Sequence, residues 1–156
     1  MSRAIRKNGD CYGVLIFRAL RGYLFIDTEK QISTYAGAGH PPLLLWRGTE
    51  KKIYEYQERG ILLGQLEDAR YNNIELNFKS GDRFFLYTDG IIEATNASGD
   101  LFGWSRFREY ITANAELSVG NFADGLIQRI FNWSGKHKGE ALDDDLTLVV
   151  ADFKNS

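Results

Sequence analysis

Short apolar runs separated by polar turns fill the first half of the chain and predict antiparallel strands. Residues 23–26 lead through a polar turn into residues 31–36, which form the second strand of a predicted hairpin. Ile74, Leu76 and Phe78 alternate with polar neighbours, the pattern of a strand that is buried on one face. The predicted strands lie at residues 23–26, 31–36, 42–46, 52–56, 74–78, 83–88 and 146–150.

The apolar spacing changes to a helical period in the second half of the chain. Ser105 is placed to cap a helix that carries Phe107, Tyr110 and Ile111 on one face. Asn121, with Asp124 three residues later, resembles a capping box at the start of a second helix. The apolar stripe of this second helix is predicted to be core and consists of Phe122, Leu126, Ile127, Ile130 and Phe131.

These elements predict one α+β domain in which antiparallel β-sheet is flanked by helices. The chain has 156 residues, of which 44% are hydrophobic. A domain of about 150 residues buries roughly 70% of the surface of its unfolded chain, so a core of this size needs no disulfide or structural metal. No internal repeat and no linker rich in Pro, Gly or Ser divides the sequence.

Charge and cysteine content narrow the class of protein and its compartment. The net charge is −2, so no overall basic field indicates a nucleic-acid partner. The single cysteine, Cys11, cannot form an internal disulfide, which favours a reducing compartment. We therefore predict a cytoplasmic protein that does not bind nucleic acid.

The N-terminal residues have some likeness to a signal peptide. Arg3, Arg6 and Lys7 precede an apolar run at residues 11–17. The run is short, however, and no small-residue cleavage site follows it. No stretch of the chain approaches the roughly 20 apolar residues of a membrane span. We predict neither export nor membrane insertion.

Acidic residues follow one predicted strand and precede another. Asp89 stands at the exit of the strand at residues 83–88, and Asp143, Asp144 and Asp145 stand at the entrance of the last strand. If these strands are antiparallel neighbours, the acidic ends meet at one edge of the sheet, where two carboxylates about 5 Å apart repel by about 3 kcal/mol. A divalent cation between them or protonation of one would relieve that repulsion. Solvated aspartates that cap a strand are the simpler alternative, and spacing alone does not decide between them.

Three segments are more informative for the residues they contain than for their spacing. They read LYTDGIIEATNASGDLFG at residues 86–103, YAGAGHPPLLL at residues 35–45 and DDLTL at residues 144–148, with a KSGD turn at residues 79–82. Together they resemble the signature of bacterial SpoIIE/RsbU-type phosphatases, members of the metal-dependent PPM (type-2C-like) superfamily of Ser/Thr protein phosphatases. The resemblance runs from about residue 23 to residue 153 and implies a partial α/β/β/α sandwich.

The resemblance also implies a chemistry and a biological setting. It identifies Asp89 and Asp144 as metal ligands, with Asp145 as a weaker candidate, for a pair of Mg²⁺ or Mn²⁺ ions that activate a water nucleophile. No catalytic side chain is required. The implied substrate is phosphoserine or phosphothreonine on an anti-anti-sigma (STAS) protein, and a sensor domain upstream is expected in a full-length gene. Gly90 is expected to let the chain leave the site without crowding the metal.

The chain departs from the family pattern at its N-terminus. Family members carry an Asp-x-x-Gly-His-Gly segment whose aspartate bridges the two metals, and this sequence has none. Residues 1–22 match no family segment, so we expect residues 23–156 to be the C-terminal two-thirds of a phosphatase domain with impaired activity and a tendency to self-associate. One alternative is a catalytically inactive remnant that acts as a binding or regulatory module. The other is an unrelated α+β binding domain.

Three further features have a structural and a functional interpretation. His40 could act as a general acid, but between a glycine and two prolines we interpret it as shaping a turn. Glu93 follows Asp89 by four residues and could reach the site, yet a structural role is preferred. The basic run Lys136, His137 and Lys138 could attract a phosphoprotein, although such runs are usually solvated loops.

Overall fold

The fold consists of two antiparallel sheets and two long helices. A computed structural model of the chain describes residues 13–16, 22–57, 70–137, 140, 142 and 144–153. Within these residues the strands are β1 Gly13–Ile16, β2 Gly22–Asp27, β3 Ile32–Gly37, β4 Leu43–Arg47, β5 Lys52–Tyr56, β6 Ile74–Asn77, β7 Arg83–Tyr87 and β8 Leu148–Asp152. The helices are α1 Gly90–Glu93, α2 Gly103–Asn114 and α3 Val119–Ser134.

The strand order brings the acidic segments of the chain to neighbouring strands. One sheet has the order β1-β2-β3-β6 and the other the order β5-β4-β7-β8, with every neighbouring pair antiparallel. The predicted strands are confirmed, but β8 begins at Leu148 instead of residue 146. The antiparallel pairing of β7 with β8 places the end of β7 and the start of β8 at the same edge.

Strands β4 and β7 are buried on both faces because each lies between two layers. Leu43, Leu45, Phe84 and Leu86 pack against the other sheet, in a cluster with Leu24. The intervening side chains point the opposite way, toward the helices, because successive residues of a strand alternate between its faces. All five residues of β7 are buried. The strand that leads to Asp89 is therefore held from both sides.

The two long helices cover the outer face of the second sheet. The predicted apolar face of α2 is confirmed, since Phe107, Tyr110 and Ile111 are buried against that sheet. Both predicted caps are wrong: Ser105 and Asn121 lie inside their helices. From the predicted stripe of α3, the residues in this core cluster are Phe122, Leu126 and Ile130.

The α+β class predicted from sequence is confirmed, with antiparallel sheets and a flanking helical layer. The run at residues 11–17 that has some likeness to a signal peptide contains β1, and its other residues and Cys11 lie outside the described part of the chain. Among the described residues, neither long helix has the length and apolar character required to cross a bilayer.

Candidate metal centre

The segment that follows β7 is fastened to the segment that precedes β8. Beyond the last ladder pair, Tyr87 with Leu148, the backbone N–H of Thr88 donates to the carbonyl of Thr147 at 3.0 Å. The Thr88 hydroxyl accepts from the N–H of Thr147 at 2.9 Å and donates to the carbonyl of Asp145 at 2.9 Å. One threonine thus joins the two acidic segments just before Asp89.

Gly90 marks the closest approach of these two segments. A Cβ at this position would lie 2.6 Å from the carbonyl oxygen of Asp145 and 3.6 Å from Cβ of Asp144. Any side chain larger than hydrogen would therefore push the segments apart. The structure thus brings Asp89, the residue before Gly90, to the same sheet edge as Asp144, as the antiparallel arrangement predicts. Their role as metal ligands stays a prediction.

The two carboxylates are exposed to solvent, and neither is buried in an ion pair. Asp89 occupies the N-cap position of α1, yet its side chain makes no capping hydrogen bond. Asp144 accepts the N–H of Asp145 through Oδ1 at 2.7 Å. The exposure of both side chains fits solvated aspartates at a strand end as well as metal ligands.

The three aspartates predicted as metal ligands, Asp89, Asp144 and Asp145, all lie within the described residues. Within the ranges that the structure describes, no group of three His, Cys, Asp or Glu side chains is arranged to hold a metal ion. Asp143 lies outside those ranges. Asp145 is exposed and contributes its backbone to the contacts with Thr88 and Gly90.

His40 lies at the same edge, which spacing in sequence did not reveal. Because β4 runs antiparallel to β7, the start of β4 lies at the edge where β7 ends, and His40 precedes β4 by three residues. The imidazole is 5% exposed, and burial lowers its pKa, while the Pro41 carbonyl and the Asp89 carboxylate raise it. The antiparallel pairing of β4 with β7 is the signal that could have identified His40 beforehand.

Most other residues of the segment at 86–103 build a loop. The Asn96 side chain accepts the N–H groups of Ser98 at 3.0 Å and Asp100 at 2.8 Å, and Gly99 adopts a φ of 82°. Phe102 is buried in the helical core cluster. These residues shape the turn that returns the chain to α2. Of the acidic residues in the segment, Asp89 is the one that the structure places at the edge.

The remaining candidates lie on the surface. Glu93 ends α1 with its side chain exposed and its N–H bonded to the carbonyl of Asp89 at 2.9 Å. His137 is exposed in the loop after α3, and Lys138 lies outside the described residues. These contacts assign neither Glu93 nor the basic run at residues 136–138 to the acidic edge.

Comparison with known families identifies relatives of the chain. A model of the family described as stage II sporulation protein E (SpoIIE) matches residues 18–154. The chain is 28% identical over 131 residues to phosphoserine phosphatase RsbU of Bacillus subtilis, a match that covers 82% of this chain and 37% of the relative. It is 33% identical over 134 residues to phosphoserine phosphatase RsbP of the same organism, covering 85% of this chain and 30% of the relative. The chain therefore spans about a third of the length of these curated relatives.

Solved structures have the same fold. The SiaA-PP2C domain of Pseudomonas aeruginosa superposes with a TM-score of 0.70 at 25% identity, over 85% of this chain and 51% of that one. The manganese-presoaked phosphatase domain of the cell fate determinant SpoIIE from Bacillus subtilis gives a TM-score of 0.59 at 18% identity, over 93% and 58%. The second of these similarities is evidence of the fold alone.

Proposed function

Because the chain belongs to the SpoIIE family of PPM-type phosphatases, we propose that it is part of a metal-dependent protein phosphatase. Its substrate would be phosphoserine or phosphothreonine on a cytoplasmic regulatory protein of the anti-anti-sigma (STAS) type. The phosphoserine phosphatase activity named for two relatives supports the reaction class. The meeting of Asp89 and Asp144 across the Gly90–Asp145 contact is the observation that carries the proposal.

Asp89 and Asp144 are the residues that would hold Mg²⁺ or Mn²⁺. Both ions prefer carboxylate oxygens held on rigid elements, and the exposed side chains of Asp89 and Asp144 offer oxygen donors of this kind. The complete family site would contain two ions. A cation bound there would lower the pKa of a water nucleophile and offset the negative charge of the phosphoryl group.

The protein's own residues position and expose the site. The two-sided burial of β7 and the hydrogen bonds of Thr88 fix the backbone from which Asp89 projects. The exposure of Asp89 and Asp144 leaves the edge accessible to a phosphorylated side chain of another protein. An open edge suits a protein substrate better than a small metabolite, which is usually enclosed by its site.

An inactive binding or regulatory module is the second candidate function. It is favoured by one observation: in the described part of the chain, no three His, Cys, Asp or Glu side chains are arranged to hold a metal ion together. With so few ligands, we expect weak cation binding and low turnover from these 156 residues.

A titration and an assay on the same samples test both candidates. Binding of Mn²⁺ is measured by the electron paramagnetic resonance signal of the free ion, and phosphate release is measured with a synthetic phosphoserine peptide. We expect Asp89→Asn and Asp144→Asn each to weaken Mn²⁺ binding at least tenfold. Asp124→Asn, at an exposed aspartate of α3, is the matched control and should bind as wild type does.

The combined outcome separates the candidates. Slow Mn²⁺-dependent phosphate release that Asp89→Asn abolishes supports the phosphatase. Mn²⁺ binding with phosphate release no faster than that of Asp89→Asn supports the inactive module. Wild-type protein that binds no Mn²⁺, or an Asp89→Asn variant that binds it unchanged, contradicts the proposed metal centre.

A further inference from the structure

The imidazole of His40 is enclosed beside the acidic edge. It is 5% exposed, and a Cβ at Gly22 would lie 3.3 Å from its Cγ, so the glycine leaves room for the ring. The antiparallel pairing of β4 with β7 places the segment before β4, which contains His40, at the edge where β7 ends. The Asp89 carboxylate contributes to raising the pKa of His40, which agrees with this placement.

The two ring nitrogens of His40 are in different situations. Nδ1 lies 2.6 Å from the carbonyl oxygen of Pro41. Since a carbonyl only accepts, Nδ1 must carry the hydrogen and donate it. A neutral imidazole carries one such hydrogen, which leaves Nε2 with an unshared electron pair. Nε2 is buried and makes no hydrogen bond with the residues that the structure describes.

A purely structural role would use only Nδ1. A turn-shaping histidine needs the bond to the Pro41 carbonyl, and an apolar environment would suffice for the rest of the ring. A buried acceptor without a donor is unfavourable unless the site supplies one. A ring that donates through one nitrogen to a backbone carbonyl and leaves the electron pair of the other available is the usual arrangement of histidines at metal centres.

We propose that His40 is a positioning residue of the metal centre and that its Nε2 accepts a hydrogen bond from a water held at the Asp89–Asp144 edge. The inference rests on the proposed function, because the water belongs to the cation site. His40 thereby orients that water, and Pro41 and Gly22 hold the ring in place.

Two substitutions separate the roles of the two nitrogens. His40→Asn keeps a donor near Nδ1 and removes the acceptor at Nε2, whereas His40→Gln places an amide oxygen near Nε2. We expect His40→Asn to weaken Mn²⁺ binding by about 10- to 100-fold, the usual loss when an outer partner of a metal site is removed. We expect His40→Gln to recover most of the affinity. Thermal melts without Mn²⁺ show that each variant is folded.

A spectroscopic measurement on the wild-type protein needs no variant. The chain has two histidines, His40 and the exposed His137, which serves as internal control. Long-range ¹H–¹⁵N spectra should show Nε2 of His40 without a hydrogen, and Mg²⁺ should shift its resonance while His137 stays unchanged. A hydrogen on Nε2, or no response of His40 to saturating Mg²⁺, overturns the inference.

The outcomes distinguish the inference from the proposed function. If Asp89→Asn loses Mn²⁺ and His40→Asn binds it as wild type does, the metal centre stands and the role of His40 is wrong. If His40→Asn binds normally and His40→Gln does not, the histidine is a structural donor through Nδ1, which also overturns the inference. If wild-type protein binds no Mn²⁺, both proposals fail.

Discussion

Strand β7 has an aspartate near each end, Asp82 directly before it and Asp89 two residues after it. The side chain of Asp82 is 1% exposed and accepts hydrogen bonds from three donors: Arg47 at 2.6 Å, the N–H of Gly48 at 3.1 Å and the N–H of Lys79 at 2.9 Å. Asp89 is exposed and does not even cap the helix that follows it. The same residue type therefore stabilises the fold at one end of the strand and is available to a ligand at the other.

The charges that surround the two ends of β7 differ in the same way as the two aspartates do. Next to Asp82, Arg83 pairs with Asp152 and donates to the carbonyl of Leu117 at 2.6 Å, so opposite charges meet. Next to Asp89 the neighbouring strand contributes Asp144, a second negative charge. Stability favours opposite charges in contact, whereas cation binding requires like charges that the fold itself leaves uncompensated. Four substitutions test this contrast, and their expected effect on the free energy of unfolding without metal decreases from Asp82→Asn through Gly90→Ala and Ser118→Ala to Asp89→Asn.

The largest loss of stability is expected from Asp82→Asn. In the better of its two orientations the amide keeps its oxygen on Arg47 and the Lys79 N–H and turns its NH₂ group toward the N–H of Gly48. That buried N–H loses its acceptor, and Arg47 loses its charged partner. We expect a loss of about 3 kcal/mol, typical of breaking a buried ion pair. Urea unfolding measures it. Folded Asp82→Asn should bind Mn²⁺ with wild-type affinity, and a selective loss of binding would show that the two ends are not independent.

Gly90→Ala is expected to have the next largest effect. Its Cβ would lie 2.6 Å from the carbonyl oxygen of Asp145. Because that oxygen belongs to the backbone and cannot rotate away, the two segments must separate. We expect a loss of about 2 kcal/mol, as for other overpacked positions, together with weaker Mn²⁺ binding. Gly120→Ala is the matched control, because a Cβ there meets no atom within 4 Å and alanine favours the helix. Equal stability of the two variants in urea unfolding would contradict the close approach at Gly90.

Sequence patterns identified the strands well because apolar alternation and turn residues act locally. They placed the start of β8 two residues early, because the N–H of Thr147 bonds to the hydroxyl of Thr88, and only the Thr147 carbonyl bonds to the backbone of Thr88. Cap positions were wrong because polar residues at the required spacing recur along both helices. Only the structure identifies Ser118, whose hydroxyl accepts the N–H of Asn121, as the cap of α3.

The sequence predicts the candidate site only in part, because burial depends on residues that are remote in sequence. Asp82 and Asp89 look alike in sequence, each beside a glycine at a strand end. The resemblance to a phosphatase family selected Asp89, while the burial that separates them comes from residues remote in sequence such as Arg47. His40 resembled a turn residue because its neighbours are glycine and proline. Its burial depends on Gly22, and its place at the edge where β7 ends depends on the antiparallel pairing of β4 with β7.

Ser118→Ala should cost about 1 kcal/mol, the usual effect of losing an N-cap. Ser118 follows Leu117, whose carbonyl binds Arg83 at the structural end of β7, so the substitution loosens that end while leaving the acidic edge alone. Urea unfolding should show the loss, and Mn²⁺ affinity should not change. Ser105→Ala, inside α2, should lose less than half as much, and an equal loss would place the cap effect in doubt.

The smallest effect on stability without metal is expected from Asp89→Asn, the same change that is most damaging at Asp82. An exposed side chain without a capping bond contributes little, so the free energy of unfolding should stay within about 0.5 kcal/mol of wild type. Free Mn²⁺ at about 100 times its dissociation constant should add about 2.7 kcal/mol to wild-type stability, because it binds only the folded state. Asp89→Asn should gain far less, whereas the control Asp124→Asn should gain as much as wild type. A large loss of stability without metal would mean that the fold itself uses this carboxylate, and the contrast between the two ends of β7 would no longer hold.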